Sequence, residues 1–164
     1  MVRYIQPTKP VGWSEYQTGM RNVFISTRGR YALRVMIDLA EREDGRYIPM
    51  KDVAERQGIS LKYLERILPD LTKHGLLEGV HGKGGGYRLK CDPEVCTVWA
   101  VLTVTEGDLS PVSCLAEGAP QCARAAACRT LPLWKNYYAL TKEYFSSITI
   151  ADLTGGDRAD EYVI

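Results

Sequence analysis

The sequence predicts a mostly α-helical protein that carries one small β-hairpin. Three segments between residues 26 and 73 place apolar residues three and four apart, which is the spacing of helices with one buried face. The glycine-rich stretch GVHGKGGGY follows at residues 79–87, between two short apolar runs, and indicates the hairpin. The order helix, helix, helix, hairpin is that of a winged helix-turn-helix with a small β wing, and further helices are predicted after it.

The first predicted helix begins at Ser26 or Thr27, since either side chain can accept a capping hydrogen bond. We expect it to end near residues 43–45, where Gly45 can adopt a left-handed conformation. Its broad apolar face consists of Tyr31, Leu33, Val35, Met36, Leu39 and Ala40. The second predicted helix, MKDVAERQ, is short and turns its Val-Ala pair inward.

The turn between the second and third helices is predicted at Gly58, Ile59 and Ser60. Gly58 can supply a left-handed residue, Ile59 can fill the corner, and Ser60 can cap the third helix. That helix would bury a stripe made of Leu61, Leu64, Ile67, Leu68 and Leu71. Pro69 removes one backbone donor and predicts a bend.

The outer face of the third helix has the properties of a major-groove reader. Free N–H groups of its first turn suit phosphates, and the side chains that project outward are Ser60, Lys62, Tyr63, Glu65 and Arg66. DNA phosphates repel the Glu65 carboxylate unless this carboxylate accepts a hydrogen bond from a cytosine amino group. Glu65 can therefore select for particular base sequences. The alternative is a solvated face of mixed charge.

The hairpin strengthens the DNA-binding interpretation. Its glycines, Gly84 among them, let the backbone approach another surface closely, while Lys83 presents one positive charge to a minor groove. Alone, such a stretch indicates only a tight hairpin, and it lacks the ending of a Walker phosphate loop. Residues 26–90 carry 13 Lys+Arg against 9 Asp+Glu, whereas residues 91–164 carry 5 against 10, so the basic half is where a polyanion would bind.

Two further helices are predicted in the acidic half. Val98, Val101, Leu102 and Thr105 share one face of the first, although a strand is the second choice for this β-branched segment. The second starts at a Thr130 cap, and its aromatic-rich seam consists of Trp134, Tyr138, Thr141, Phe145 and Ile148, with Tyr137, Leu140 and Tyr144 beside it. So much apolar surface predicts a partner helix in a homodimer, and an ordinary intramolecular core is the alternative.

The five cysteines point to metal or redox chemistry. No apolar run is long enough to span a membrane and no secretory signal is present, so we expect a cytoplasmic protein whose thiols stay reduced. Cys114, Cys122 and Cys128 have C-x7-C-x5-C spacing in a loop without histidine. Cys91 and Cys96 are expected to be packing residues or free thiols. An enzyme with a cysteine nucleophile is disfavoured because both histidines lie near the hairpin.

Four stretches resemble one known family in the same order along the chain. STRGRYALRVMIDLAE, VAERQGISLKYLERIL, LTKHGLLEGVHGKGGGYRL and the three-cysteine loop ending in LPLW are similar to the Rrf-type winged helix-turn-helix transcription regulators, the family of IscR. The resemblance implies a homodimer that binds double-stranded operator DNA, with a long C-terminal helix crossing the dimer. It also implies that Cys114, Cys122 and Cys128 ligate an iron–sulfur cluster, either 2Fe-2S or 4Fe-4S, and that iron–sulfur assembly proteins are partners.

The chain departs from the family pattern at three places. The gap between the first two loop cysteines is longer than in IscR. Leu131 stands where IscR has a histidine. The fourth ligand is therefore open, and the candidates are Glu117, a partner-chain group or an exogenous thiolate. His81 stands at the wing where relatives often have arginine, and a mostly neutral imidazole weakens phosphate contact. Zinc in place of the cluster, or a metal-free regulator controlled by protein contact, remains an alternative.

These observations divide the chain into four parts. Residues 1–24 are expected to form a poorly ordered leader, residues 25–90 the winged helix-turn-helix domain, residues 91–153 the cluster loop and dimerisation helix, and residues 154–164 a flexible tail. The predicted protein is a transcriptional regulator, not an enzyme, that senses iron–sulfur or redox status.

Overall fold

The computed structural model describes residues 25–82 and 84–155. The expected leader at residues 1–24, the tail beyond residue 155 and Lys83 therefore lie outside the described residues. Within them the elements are α1 (Thr27–Ala40), α2 (Met50–Gln57), α3 (Leu61–Lys73), β1 (Leu77–Val80), β2 (Gly86–Leu89), α4 (Val98–Glu106) and α5 (Leu131–Ser147). The fold class is as predicted: mostly α-helical, with a winged helix-turn-helix and a long C-terminal helix. The domain division at residue 90 stays a prediction.

Capping side chains begin three of these helices. The Ser26 hydroxyl accepts from the backbone N–H groups of Arg28 and Gly29, and Ser60 accepts from Tyr63 N at 3.3 Å. Thr97 caps α4 in the same way. Thr130 is the N-cap residue of α5 as predicted, but its backbone angles are helical and its side chain makes no capping bond.

Helix α1 ends at Ala40, earlier than the sequence predicts. The chain continues through Arg42 and Glu43 in tighter turns, whose N–H groups bond to carbonyls three residues back. Gly45 does adopt the left-handed conformation, with φ 80°, but in the loop after the helix rather than at its end.

The core lies where α1, α2, α3 and α4 meet. Fully buried side chains include Val35, Met36, Leu64, Leu71 and Val101. Leu61 was expected in this stripe but is 40% exposed, because it opens α3 and faces outward from the first turn. The alternative of a strand at residues 98–106 is wrong, since this segment is helix α4 and all four residues of its predicted face are buried.

The wing is a two-stranded antiparallel sheet with register from Leu77↔Leu89 to Val80↔Gly86. Ile48, in the connection between α1 and α2, exchanges two backbone hydrogen bonds of 2.9 Å with Tyr87. Gly86 is required beside this bridge, because a Cβ there would clash with the Ile48 carbonyl. The wing is therefore fixed to the same connection that positions α2.

A buried carboxylate joins α1 to α2. Asp38 is fully buried and accepts from Arg56 Nη2 at 2.6 Å, Arg56 Nε at 3.1 Å and Gln57 Nε2 at 2.8 Å, while Arg42 lies 3.5 Å away. Burial by itself raises the pKa of Asp38, but the hydrogen bonds from Arg56 and Gln57 and the nearby positive charges leave this pKa below its usual value. The carboxylate is thus ionised and fully paired in the native fold.

Asp38→Asn should lower the free energy of unfolding by about 3 kcal/mol at neutral pH, because it puts a neutral amide, with donors of its own, against the Arg56 and Gln57 donors at a fully buried position. Since folding lowers the Asp38 pKa, its stabilisation is present above the unfolded-state pKa of about 4 and is lost as the pH falls below it. Urea titrations from pH 7 to pH 3 should therefore show the wild-type advantage shrinking. Asp44→Asn, which makes the same change at an exposed ion pair, is the control and should have little effect. An equal loss from both variants would contradict the prediction.

Candidate nucleic-acid interface and cysteine loop

The turn before α3 is built as the sequence predicts and sets the direction of that helix. Gly58 adopts φ 61° and ψ 35°, and Ile59, 5% exposed, donates its N–H to Ala54 O at 3.0 Å. Ser60 then caps α3. Because the corner residue is buried in the core, the start of α3 is fixed relative to α2.

The start of α3 displays the predicted DNA-contacting residues on one surface. Ser60, Lys62, Glu65 and Arg66 are exposed. Tyr63 is half-buried instead, since its ring meets Tyr31 edge-on with centroids 5.3 Å apart. Tyr63 therefore packs against α1 as well as facing the interface.

The tip of the wing is exposed and depends on glycine. His81 and Gly84 are exposed, and Gly82 and Gly84 adopt φ 104° and 78°. Gly85 donates its N–H to Gly82 O at 3.0 Å, and a Cβ at this position would clash with the Val80 carbonyl. A larger residue would therefore distort the turn, which supports the predicted close approach of this backbone to another surface.

A polar network behind α3 was missed in the sequence. Arg34 donates from Nε to Gln57 Oε1 at 3.1 Å, and its guanidinium lies 5.5 Å from the centre of the Tyr31 ring. Gln57 also donates to Asp38, so the network runs from the buried carboxylate to the ring that supports Tyr63. No local pattern indicates it, because its members come from three different helices.

The predicted ligands lie in the loop between α4 and α5, and all three are free thiols. Cys114 lies in a short 3-10 turn, Ser113–Leu115, and is exposed, as is Cys122. Cys128 is half-exposed and follows a second turn, Ala125–Ala127. Over residues 25–82 and 84–155, no three Cys, His, Asp or Glu side chains converge in a metal-binding arrangement. The residues fit an iron–sulfur cluster in donor type, because accessible thiols are the ligands such clusters use.

Cys128 has the environment of a reactive thiol. Its sulfur lies 3.5 Å from Thr130 Oγ1. Hydrogen bonds from the Thr130 side chain and from the backbone of Thr130 and Leu131 lower the pKa of Cys128 below its usual value. The start of α5 thus favours the thiolate, the form that binds metal.

Two carboxylates lie where this loop leaves α4. Glu106 Oε1, at the end of α4, accepts from Ser26 N at 3.0 Å, Ser26 Oγ at 2.7 Å and Gly29 N at 3.0 Å. Asp108 accepts from Ser110 N at 2.8 Å, Ser110 Oγ at 3.0 Å and Glu117 N at 3.1 Å. The first carboxylate therefore holds the start of α1, and the second holds the part of the loop that contains Cys114.

Helix α5 has no fully buried residue and presents two apolar faces. The predicted seam is half-buried, and the Tyr138 ring lies 6.0 Å from Trp99 of α4. The other face is open: Leu133 is 58% exposed, Tyr137 45%, Leu140 66% and Tyr144 53%. Tyr138, expected at a dimer contact, thus packs within its own chain. Among the described residues, no helix is long and apolar enough to cross a membrane.

A family model described as Rrf2, iron-dependent transcriptional regulator, matches residues 25–156. The chain is 35% identical to the HTH-type transcriptional regulator IscR of Sodalis glossinidius over 134 residues, which are 82% of this chain and 80% of that protein. Identity to IscR of Yersinia enterocolitica is 36% over 129 residues, 79% of this chain and 77% of that protein.

Solved structures agree with these sequence matches. CymR, the global cysteine regulator of B. subtilis, superposes with a TM-score of 0.64 at 33% identity, covering 79% of this chain and 95% of that one. T. potens IscR superposes with a TM-score of 0.63 at 29% identity, covering 86% of this chain and 92% of that one.

Proposed function

The chain belongs to the Rrf2 family of DNA-binding transcriptional regulators, which are not enzymes, and we propose that it is a homodimeric sensor of iron–sulfur status. In this proposal α3 and the wing bind double-stranded operator DNA in the cytoplasm. Cys114, Cys122 and Cys128 hold the cluster, and iron–sulfur assembly proteins supply it. The observation that carries the proposal is that the three-thiol loop follows directly after Glu106, whose carboxylate accepts from the start of α1.

Operator recognition is assigned to the exposed start of α3 and to the wing. Lys62 and Arg66 supply positive charge, Ser60 leaves the first backbone N–H groups facing outward, and Glu65 selects against bases that cannot donate to it. At the wing, His81, Lys83 and Gly84 are assigned to the minor groove and adjacent phosphates. The half-buried Tyr63 positions the start of α3 against α1, and the part of it that stays exposed is assigned to the same interface.

The loop cysteines supply three thiolates for a cluster, and an iron–sulfur cluster would give the site its response to iron and redox state. The hydrogen bonds around Cys128 favour its thiolate form. Leu131 offers no ligand atom at the start of α5, so the fourth position is assigned to Glu117, a partner-chain group or an exogenous thiolate. A site with one replaceable ligand loses its cluster more readily than a site with four thiolates, and this suits a sensor.

The route from the loop to the DNA-reading helix uses α1. Asp108 follows the end of α4 in the chain and accepts from Glu117 N in the loop, and Glu106 at that end accepts from Ser26 and Gly29. Arg28, in the same turn of α1, forms an ion pair with Asp70 near the end of α3. A change in the loop can therefore be passed to α3 through contacts of side chains with helix ends.

Glu65→Ala and Arg66→Ala should each change sequence preference at one base position, by about 1–3 kcal/mol, because each removes a contact to a base edge. Lys83→Ala is the contrast. It should weaken binding to all operators alike and reduce the slope of log affinity against log salt concentration by about one, as loss of one phosphate contact does. Binding to a randomised operator library at two salt concentrations measures both effects. A uniform loss of affinity from Glu65→Ala would contradict its assigned role.

Cys114→Ser, Cys122→Ser and Cys128→Ser should each lose most bound iron, sulfide and visible absorbance after anaerobic purification, because each removes one of three protein thiolates. Cys91→Ser is the matched control and should keep the cluster. Zinc in the wild-type protein would support a zinc-binding regulator, and a colourless protein without metal would support control by protein contact. A full cluster in Cys122→Ser would show that the ligands are wrongly assigned.

Leu140→Asp should convert the dimer to monomer, because symmetry places two carboxylates in an apolar contact, at a cost of about 2–3 kcal/mol each. Light scattering at several concentrations measures the change. Ala139→Asp adds the same charge at an exposed position on a different side of α5 and should leave the dimer intact. A dimer that survives Leu140→Asp would place the interface elsewhere.

A further inference from the structure

Most arginines of the winged helix-turn-helix are paired with carboxylates. Five of the eight arginines between residues 26 and 90 form ion pairs, namely Arg28, Arg42, Arg46, Arg56 and Arg88. Within residues 25–82 and 84–155, Arg30, Arg34 and Arg66 have no carboxylate at ion-pair distance. Arg66 lies on the side of α3 already assigned to DNA. The other two unpaired arginines lie on α1 and have no assigned role.

Arg30 and Arg34 are both exposed and lie about one turn apart on the same side of α1. Arg30 Nη2 donates to Thr27 Oγ1 at 3.1 Å, and no described group accepts from its Nε or Nη1. Arg34 donates from Nε to Gln57 Oε1 at 3.1 Å and from Nη2 to the Gln57 carbonyl, and no described group accepts from its Nη1. Both guanidinium groups therefore keep donors for a ligand.

The charge of this pair is unfavourable in the protein without DNA. Two like charges four residues apart on a helix repel each other, and the described part of the chain places no carboxylate between them. A bound anion would remove this repulsion. Guanidinium groups suit phosphate in particular, because their planar N–H donors can bond two phosphate oxygens at once.

The pair lies beside the start of α3. The Arg34 guanidinium is 5.5 Å from the centre of the Tyr31 ring, and this ring meets the Tyr63 ring with centroids 5.3 Å apart. Gln57, which accepts from Arg34, is the last residue of α2 before the turn into α3. The unpaired arginines of α1 therefore continue the surface that begins α3. In helix-turn-helix complexes, a helix beside the recognition helix crosses the DNA backbone.

We propose that Arg30 and Arg34 form a phosphate-binding site on α1, which holds the DNA backbone beside the major groove assigned to α3. The proposal rests on the assignment of α3 to DNA and adds a second contact surface whose ligand is the phosphodiester group. Phosphates are the same in every sequence, so this site adds affinity for all DNA and orients α3 without choosing bases. Arg34 also holds the Gln57 carbonyl, so a phosphate bound there contacts the group that fixes the turn before α3.

Arg30→Gln tests the site, because Thr27 is the only described partner of this side chain. The variant should lower the slope of log affinity against log salt concentration by about one for each bound protomer. Its affinity for operator DNA and for random-sequence DNA should fall by the same factor. Arg30→Lys keeps the charge and should keep the slope. The melting temperature of Arg30→Gln should not fall, because the change removes a repulsion; a purely structural role of Arg30 would lower it.

Arg46→Gln is the matched control. It makes the same change at an exposed arginine whose charge Asp44 already neutralises, so the salt slope should stay as in the wild-type protein. An unchanged slope in Arg30→Gln, or a decrease that Arg46→Gln shares, would overturn the proposal.

Ethylation interference locates the contact on the DNA. At least one phosphate outside the bases read by α3 should weaken wild-type binding when it is ethylated and should have no effect on Arg30→Gln. An identical interference pattern for the two proteins would overturn the proposal. Arg66→Ala, measured in parallel, separates this site from α3. If Arg66→Ala changes base preference while Arg30→Gln behaves as wild type, the α1 site is wrong and the assignment of α3 stands.

The measurements use the full chain carrying Cys114→Ser, Cys122→Ser and Cys128→Ser, with and without Arg30→Gln. This background lacks the proposed cluster ligands, so the result does not depend on the sensor proposal. The decrease in slope caused by Arg30→Gln should be the same in this background as in the protein with its cysteines intact. A decrease that appears only when the loop cysteines are present would overturn a direct contact of Arg30 with phosphate.

Discussion

The winged helix-turn-helix depends on one buried charge, the carboxylate of Asp38. A fully buried anion is tolerable only when donors satisfy it, and here Arg56 and Gln57 from α2 and Arg42 from α1 surround it. This requirement fixes α2 against α1. Since α2 leads through the left-handed Gly58 into α3, it also sets the direction of the helix that we assign to DNA. The same Gln57 accepts a hydrogen bond from Arg34. The Arg34 guanidinium lies against the Tyr31 ring, which packs on Tyr63.

Helix α1 is held at its two ends by carboxylates with different tasks. Asp38 near its end holds α2 and thereby orients α3, and Glu106 caps its start from the end of α4. Gly29 lets this second carboxylate approach, because a Cβ at position 29 would clash with Glu106 Oε1. The cysteine loop begins directly after Glu106. The chain therefore offers a short physical connection between a thiol-rich loop and operator recognition, which is what the proposed sensor needs.

The five cysteines fall into two environments that suit different chemistry. Those of the loop lie on short turns with open surroundings, where thiolates can rearrange around a metal group. Cys96 belongs to the core and Cys91 packs against it, so both are less open to a metal group than the loop cysteines.

The sequence by itself determined the order and type of the elements. Helical spacing, the Ser26 and Ser60 caps, the Gly58 turn and the glycine-rich hairpin depend on neighbours within a few residues, so they can be predicted from local pattern. The same holds for the exposed side of α3 and for the three-thiol loop, whose roles remain predictions. Local reasoning gave the position of Thr130 before α5 but not that its side chain makes no capping bond, and it failed at Leu61, where the first turn of α3 faces outward.

Only the tertiary structure decided which distant groups meet. Residues far apart in sequence pair at Asp38–Arg56, Glu106–Ser26 and Arg28–Asp70, and charge pattern along the chain does not identify such partners. It also decided that Tyr138 faces Trp99 within the chain while Leu140 faces outward, because helical spacing defines a face but not what covers it.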